Sequence, residues 1–237
     1  MIKKNSTKNL QKNYFINGYY IFRNVLKISD LKECKVRLIK GYKKNLNKSI
    51  DEKNIHKLLT DHEQNKDWSK MYVAFQNICK SKAFKKLTKK IQELSNKKFN
   101  VKTKSVATGY AIGITKSKRT GYDWHQEKSY YLKKDTLHYQ FPFFLPLRKS
   151  NGTMSVLEGS HQMGRIKNLN YKRKNKNSVY SYVPKKINQL KKIYKEKFIN
   201  LKLGDVCVFH ENIIHRSNTN ITKKVRFAGI VRLVVLK

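Results

Sequence analysis

The sequence predicts an α+β fold in which helices from the first part of the chain pack on an antiparallel β-sandwich or barrel. Three observations carry this expectation. Apolar residues recur at helical spacing up to about residue 98. From residue 99 that period gives way to short β-like runs separated by turn residues. Helices come first and strands after, rather than in alternation, which is the order of an α+β domain. Neither GxGxxG nor GxxxxGK(S/T) occurs, so no Gly-rich phosphate loop is present.

The 237 residues suffice to bury a sizeable core as one large domain. The expected organisation is a single unit over 1–237, with 1–98 as a helical buttress and 99–237 as the β core, interrupted by a Lys/Asn/Tyr-rich insertion at 162–200. Residues 1–13 are polar and read as a frayed end.

Element by element, Tyr19–Val25 reads as a strand. Ser29 can cap a helix over Asp30–Leu46, whose Leu31, Cys34, Val36, Leu38, Ile39 and Tyr42 recur near helical spacing. Residues 47–67 are polar and irregular, and the cluster Asp61-His62-Glu63 within them reads as solvated loop. Helices follow at about Trp68–Cys79 and Lys82–Asn96, the latter with the stripe Ala83, Phe84, Leu87, Ile91, Leu94. Strands are expected at Phe99–Lys102, Ser105–Thr115, Tyr122–Tyr131, Thr136–Leu147 and Thr153–Leu157. The insertion contains a helix at Ile187–Phe198, and strands resume at Val206–Phe209, Ile213–His215 and Val225–Val235.

Charge is the outstanding feature of composition. Lys and Arg number 54 against 15 acidic residues, a formal net charge of +39. Only nine of the basic residues are arginine, while Asn and Ile are abundant and Ala, Gly and Pro scarce. That is the residue usage an AT-rich genome imposes, and the lysines are spread along the chain rather than gathered. The excess is read as compositional drift, although it raises affinity for any polyanion. Three widely spaced cysteines without a CxxC pair suit a reduced, cytoplasmic protein. No run approaches the length of a membrane span.

Against this charge, Glu127 two residues after His125 stands out. On a strand the two side chains share a face. With a distant His215 they make a set of two imidazoles and one carboxylate, which leaves three positions of a metal open on one side, as in non-haem Fe(II) oxygenases. A structural zinc site would instead be closed by four protein ligands. A bidentate keto acid and O₂ would fill the open positions. Arg226, eleven residues beyond His215, can grip the far carboxylate of such an acid through two parallel hydrogen bonds, and Ser217 can add a hydroxyl. His161 and His210 read as turn residues or supports rather than ligands. His138 reads as surface or pocket lining, and Arg232, on the same strand face as Arg226, as a residue of the barrel rim or one that meets substrate, the rim being preferred.

At these residues the chain resembles the phytanoyl-CoA dioxygenase family of Fe(II)/2-oxoglutarate-dependent oxygenases. Phe15-Ile16-Asn17-Gly18-Tyr19 is similar to the family's opening signal, WHQE to its H-Q-D, and NGTMSVLEGSHQMG to its N-G…P-G-S-H segment. GDVCVFHENIIHRSNTNITKKVR resembles its G-D…H-x-S…R segment. The resemblance implies a double-stranded β-helix (jelly roll) with the N-terminal helices packed on its sheets. It puts His125, Glu127 and His215 at the iron ligands, Arg226 at the 2-oxoglutarate arginine, and Ser217 and Gln126 at positions assisting cosubstrate binding. The implied activity is hydroxylation of an unactivated C–H in a small anionic metabolite or acyl-CoA, with Fe(II), 2-oxoglutarate and O₂. Glu127 departs from the family's aspartate by one methylene, and Glu158 stands where proline is common.

Two other readings belong beside this one. Arg226-x5-Arg232 is similar to a paired-arginine motif of AlkB-type demethylases, which act on nucleic acid. A catalytically inactive basic binding protein of the same fold is the third.

Overall fold

A computed structural model describes residues 13–46, 48–64, 78–113, 121–130, 135–173 and 180–236. A helical turn at 13–17 leads into β1 (Tyr19–Phe22), followed among the described residues by α1 (Ile28–Leu46), α2 (Ile55–Gln64) and α3 (Lys82–Phe99). Then come β2 (Lys102–Gly113), β3 (Thr136–Pro142), β4 (Met154–Leu157), β5 (Leu169–Arg173) and β6 (Tyr180–Pro184). The chain closes with α4 (Ile187–Ile193), β7 (Glu196–Phe198), β8 (Val206–His210), β9 (His215–Ser217) and β10 (Arg226–Leu236).

The strands form a jelly roll. One sheet runs β1-β8-β3-β10-β2 and the facing one β7-β4-β9, with β5-β6 as a separate hairpin. Every strand pair is antiparallel. Alternation divides the large sheet into two faces. Val206, Val208, Leu137, Tyr139, Phe141, Phe227, Val231 and Leu233 form one core with Leu38, Tyr42, Phe84, Leu87 and Ile91 of the helices. Cys207, Phe209 and Ala228 point the other way, into a second core with Met154 and Val156 of the small sheet. His138, Gln140, Arg226 and Arg232 therefore belong to the inner face, between the sheets. Gly229 makes the outer face possible: a Cβ there would stand 2.2 Å from the Phe141 ring.

The helices sit where their stripes require. Leu31, Cys34, Leu38 and Tyr42 bury one side of α1, while Val36 of the expected stripe is exposed. Asp30 in its first turn pairs with Lys86 and Lys90 of α3, tying the two helices together. Ser29 lies inside that first turn rather than capping it. Ser81 does cap α3, accepting a hydrogen bond from the Phe84 amide, and Asn100 ends that helix in the left-handed conformation.

Several boundaries differ from expectation for local reasons. Asp61-His62-Glu63 falls within α2, not in a loop, because Ile55 and Leu59 bury one helical side. The helix expected at Trp68–Cys79 falls mostly outside the described residues. Phe99 ends α3, so the two strands expected after it reduce to β2 alone, whose register shifts opposite Arg232/Leu233. The stretch expected as a strand at Tyr122–Tyr131 is extended at Gln126 and then turns as a 3-10 helix over Glu127–Ser129. Helix α4 stops at Ile193 and a short strand, β7, follows. Strand β9 begins at His215, where the expected one ended.

Candidate active site

His125 and His215 are brought side by side by a two-residue antiparallel bridge, in which each backbone amide donates to the other's carbonyl at 2.9 and 3.0 Å. Their rings lie 4.2 Å apart between centroids. Glu127 follows one extended residue later, so alternation holds across Gln126 even though the segment is not a strand. The ligand atoms of His125, Glu127 and His215 all lie within 4.8 Å of one another, and all three residues are buried. Glu127 Oε1 faces both imidazoles, at 3.9 Å from His125 Nε2 and 3.7 Å from His215 Nε2. Both rings are oriented through Nδ1 by main-chain carbonyls, His125 by Asp123 and His215 by Ile213, leaving Nε2 turned toward Glu127.

Electrostatics fit a cation site. Burial by itself raises the Glu127 carboxyl, but His125, His215, Arg232 and His138 outweigh it and hold the group well below the usual carboxylate range. Glu127 is therefore ionised. Burial, then the neighbouring His125, keeps His215 neutral by lowering its pKa against the pull of Glu127. An ionised carboxylate beside a neutral imidazole is the donor set a divalent ion needs.

Two residues missed in the sequence complete the surroundings. Arg232 was expected at the rim, yet its guanidinium reaches Glu127 through Nε to Oε2 at 3.2 Å and Nη2 to Oε1 at 3.3 Å. His138 was expected as surface or pocket lining, yet it is fully buried, with Nδ1 3.7 Å from Glu127 Oε2. Burial pushes His138 down to about 3, so the ring is neutral. It is anchored by Thr136, whose hydroxyl donates to Glu211 Oε2 at 2.7 Å and meets His138 Nε2 at 2.8 Å. The signal for both residues is the strand register: His138 lies directly opposite Arg232 on the inner face.

Arg226 lies on that same face of β10, three alternations before Arg232. It is 2% exposed, and among the described residues nothing accepts a hydrogen bond from its Nε. Burial pushes its guanidinium down to about 10, which still leaves it charged at neutral pH. A buried cation without an acceptor is costly unless something anionic meets it. Nearby there is room: a side chain at Gly109, which pairs with Ile230 between the two arginines, would meet nothing within 4 Å. Ser217 follows His215 on β9 and packs at the chain turn of Gly121.

Gln126 has a different set of partners from those expected of a cosubstrate contact. Its amide donates to the carbonyls of Gly164 and Asn212 and accepts from the Ile166 amide, so it ties three loop segments together. His161 and His210 act as supports. His161 Nε2 bonds the Phe15 carbonyl and its ring lies over Gly18, where a Cβ would come within 2.5 Å of it. His210 packs against His161 with its ring tilted, and accepts the Asn212 amide. Outside the ligand trio, Tyr122 and Tyr130 pack against His125, and Tyr130 continues to Tyr182 and Tyr171 of the β5-β6 hairpin.

A jelly roll with two imidazoles, one carboxylate and a buried arginine on its inner faces defines a non-haem iron, 2-oxoglutarate-dependent oxygenase. The model of the phytanoyl-CoA dioxygenase family (PhyH) matches residues 16–228, and the chain belongs to that family. It is thus a 2-oxoglutarate-dependent dioxygenase with iron as its metal, and its donor set and orphaned arginine suit both groups. Among solved structures, the fold is similar to the epimerase SnoN in complex with Fe3+, alpha ketoglutarate and nogalamycin RO. That match has TM-score 0.66 and 11% identity, over 98% of this chain and 84% of that one. It is also similar to EctD from S. alaskensis with 2-oxoglutarate and 5-hydroxyectoine (TM-score 0.64, 14% identity, 98% and 76% covered). AviO1 from Streptomyces viridochromogenes Tue57 is a third such structure (TM-score 0.58, 12% identity, 96% and 94% covered). No curated protein sequence matches significantly. No described helix is long and apolar enough to cross a membrane.

Proposed function

We propose that His125, Glu127 and His215 hold the iron, that Arg226 holds the distal carboxylate of 2-oxoglutarate with help from Ser217, and that the whole of 1–237 acts as one catalytic unit. The observation that carries this reading is the buried Arg226 guanidinium, whose Nε has no acceptor among the described residues, on the same sheet face as the residue that touches Glu127. When bound, the iron and keto acid supply the oxidising chemistry that opens a C–H bond. The residues do the rest. The two imidazoles present Nε2, the ionised Glu127 supplies the negative charge, and Arg226 fixes one end of the cosubstrate. Trp124 is buried in an apolar cluster with Leu157, Val183 and Ile214, which packs the chain beside His125. Gln126 braces the loops around the ligands.

The substrate class we infer is a small anionic metabolite or an acyl-CoA, hydroxylated at an unactivated carbon. Two features support it. The tyrosine row that begins at His125 offers ring faces for packing, with Tyr122 42% and Tyr130 38% exposed. The insertion at 162–200 contains a single acid, Glu196, among many lysines, and that acid is already paired with Arg216. The arginine pair that resembled a nucleic-acid oxygenase has a local explanation, since Arg232 lies on Glu127.

The test is an anaerobic titration of the purified chain with Fe(II) and then 2-oxoglutarate, followed by succinate release on adding air. The expected result is one metal per chain, lost in His215→Ala, and uncoupled succinate formation even without substrate. If His125→Ala and His215→Ala bind metal as the parent does, the ligand assignment fails.

A further inference from the structure

Glutamate carries a cost at a ligand position that must stay one-handed. Its extra methylene adds a rotatable bond, so its carboxylate can swing to offer an ion both oxygens. A chelating carboxylate takes one more position of the metal. The cosubstrate needs two positions and O₂ a third, so that loss would be felt by the keto acid first.

The geometry points to Arg232 as the residue that prevents this. We infer that Arg232 is a positioning residue: it pins Glu127 so that Oε1 alone is presented between the imidazoles. Oε1 is the oxygen that faces His125 and His215, at 3.9 and 3.7 Å. Oε2 is turned away, toward Arg232 Nε at 3.2 Å and His138 Nδ1 at 3.7 Å. The guanidinium is a planar fork, so gripping both oxygens at 3.2 and 3.3 Å fixes the plane of the carboxylate as well as its place. The fork is itself held on a central strand. β10 is hydrogen-bonded on both sides, and Arg232 pairs across to His138 on β3 and Ala107 on β2. The shift of register beside Arg232 marks the same place on the strand. His138 in turn is anchored through Thr136 to Glu211, which Lys128 holds at 2.9 Å. In this arrangement Arg232 acts through Glu127, the carboxylate its fork grips.

This inference rests on the ligand assignment proposed above, and the test separates the two. Arg232→Met removes charge and fork together; Arg232→Lys keeps the charge but grips only one oxygen. Fe(II) affinity is measured by anaerobic titration, and 2-oxoglutarate affinity from the visible charge-transfer band of its Fe(II) chelate. For Arg232→Met we expect metal binding equal to or tighter than the parent, because a cation is gone and a second oxygen is freed, together with roughly tenfold or greater loss of 2-oxoglutarate affinity. Arg232→Lys should fall between the two in 2-oxoglutarate affinity, with its melting temperature near the parent's, so it remains readable if the methionine variant does not fold. Unchanged 2-oxoglutarate affinity in the folded variants, with only a lower melting temperature, would mean a structural ion pair and overturn the inference. So would a parent-like lysine variant, since charge alone would then suffice. If the parent binds no metal, or His215→Ala binds it normally, the ligand assignment itself has failed.

Discussion

The proposed cosubstrate role gives Arg226 opposite expected effects on stability and on binding, and the two can be measured separately. Its guanidinium is buried and has no acceptor for Nε among the described residues, so it destabilises the protein before ligand arrives. Arg226→Met keeps the bulk and removes the charge. The metal-free variant should be more stable than the parent, by about 1 kcal/mol or more in urea titrations. Its 2-oxoglutarate affinity should fall by about a hundredfold, the loss of two charge-assisted hydrogen bonds. A variant both less stable and unchanged in affinity would show that Arg226 has another partner. At this scale the sequence was informative wherever chemistry restricts residue choice. His125, Glu127, His215 and Arg226 could be singled out because a carboxylate beside a histidine is conspicuous in so basic a chain. Arg232 and His138 could not, because what distinguishes them is the register of β10 against β3. A register is a property of two strands more than eighty residues apart in sequence.

Strands β3 and β10 illustrate what decides an element. Gly229 lies on the helix-facing side of β10, and the Phe141 ring of β3 covers it. Gly229→Ala puts a methyl carbon where the ring now is, with 2.2 Å between them. Because Phe141 is fully buried and packs against Phe84, the ring has little freedom to move aside. The expected cost is about 2–3 kcal/mol of unfolding free energy, partly recovered in a Gly229→Ala/Phe141→Leu double variant. Equal costs in the single and double variants would place the strain elsewhere. Elements with a strong period were legible: the stripe of α3 and the alternation of β8 and β10 gave their positions to within a few residues. The losses were in segments whose shape is set by partners. Glu127–Ser129 turns as a 3-10 helix because the Lys128 amide binds Glu211 and the Tyr130 amide binds Glu127, neither of which leaves a pattern in sequence. α2 was mistaken for a loop because its solvent side is so polar that only Ile55, Leu58 and Leu59 mark it. The short motif glycines were noticed for their resemblance, but their reason is contact: Gly152 leaves no room for a side chain beside the Asn218 carbonyl, 2.5 Å from where a Cβ would stand.

For the molecule as a whole, repulsion among the basic residues outweighs the attraction its few acids can provide. Fifteen acidic residues cannot neutralise 54 basic ones, and the net charge is +39. The described acids that matter most are already engaged: Asp30 with Lys86 and Lys90, Asp205 with Arg23, Glu196 with Arg216, and Glu211 with Lys128. Added salt weakens both these pairs and the repulsion, and the sign of the net effect identifies the larger. Partly exposed pairs are worth about 0–1 kcal/mol each, and burial shields their inner partners from screening. Repulsion acts over longer distances, so it responds more as the Debye length shrinks from about 30 Å at 10 mM to about 8 Å at 150 mM. Stability should therefore rise with ionic strength over that range. The gain should be on the order of 1–2 kcal/mol, or about 2–8 °C in melting temperature for a chain of this size. Sodium chloride and potassium fluoride should act alike if screening is the cause, whereas glycine betaine at matched osmolality, carrying no net charge, should not reproduce the rise. A melting temperature that stays flat or falls with salt would mean that the lysines are spaced widely enough not to repel, and that the charge excess costs the fold nothing.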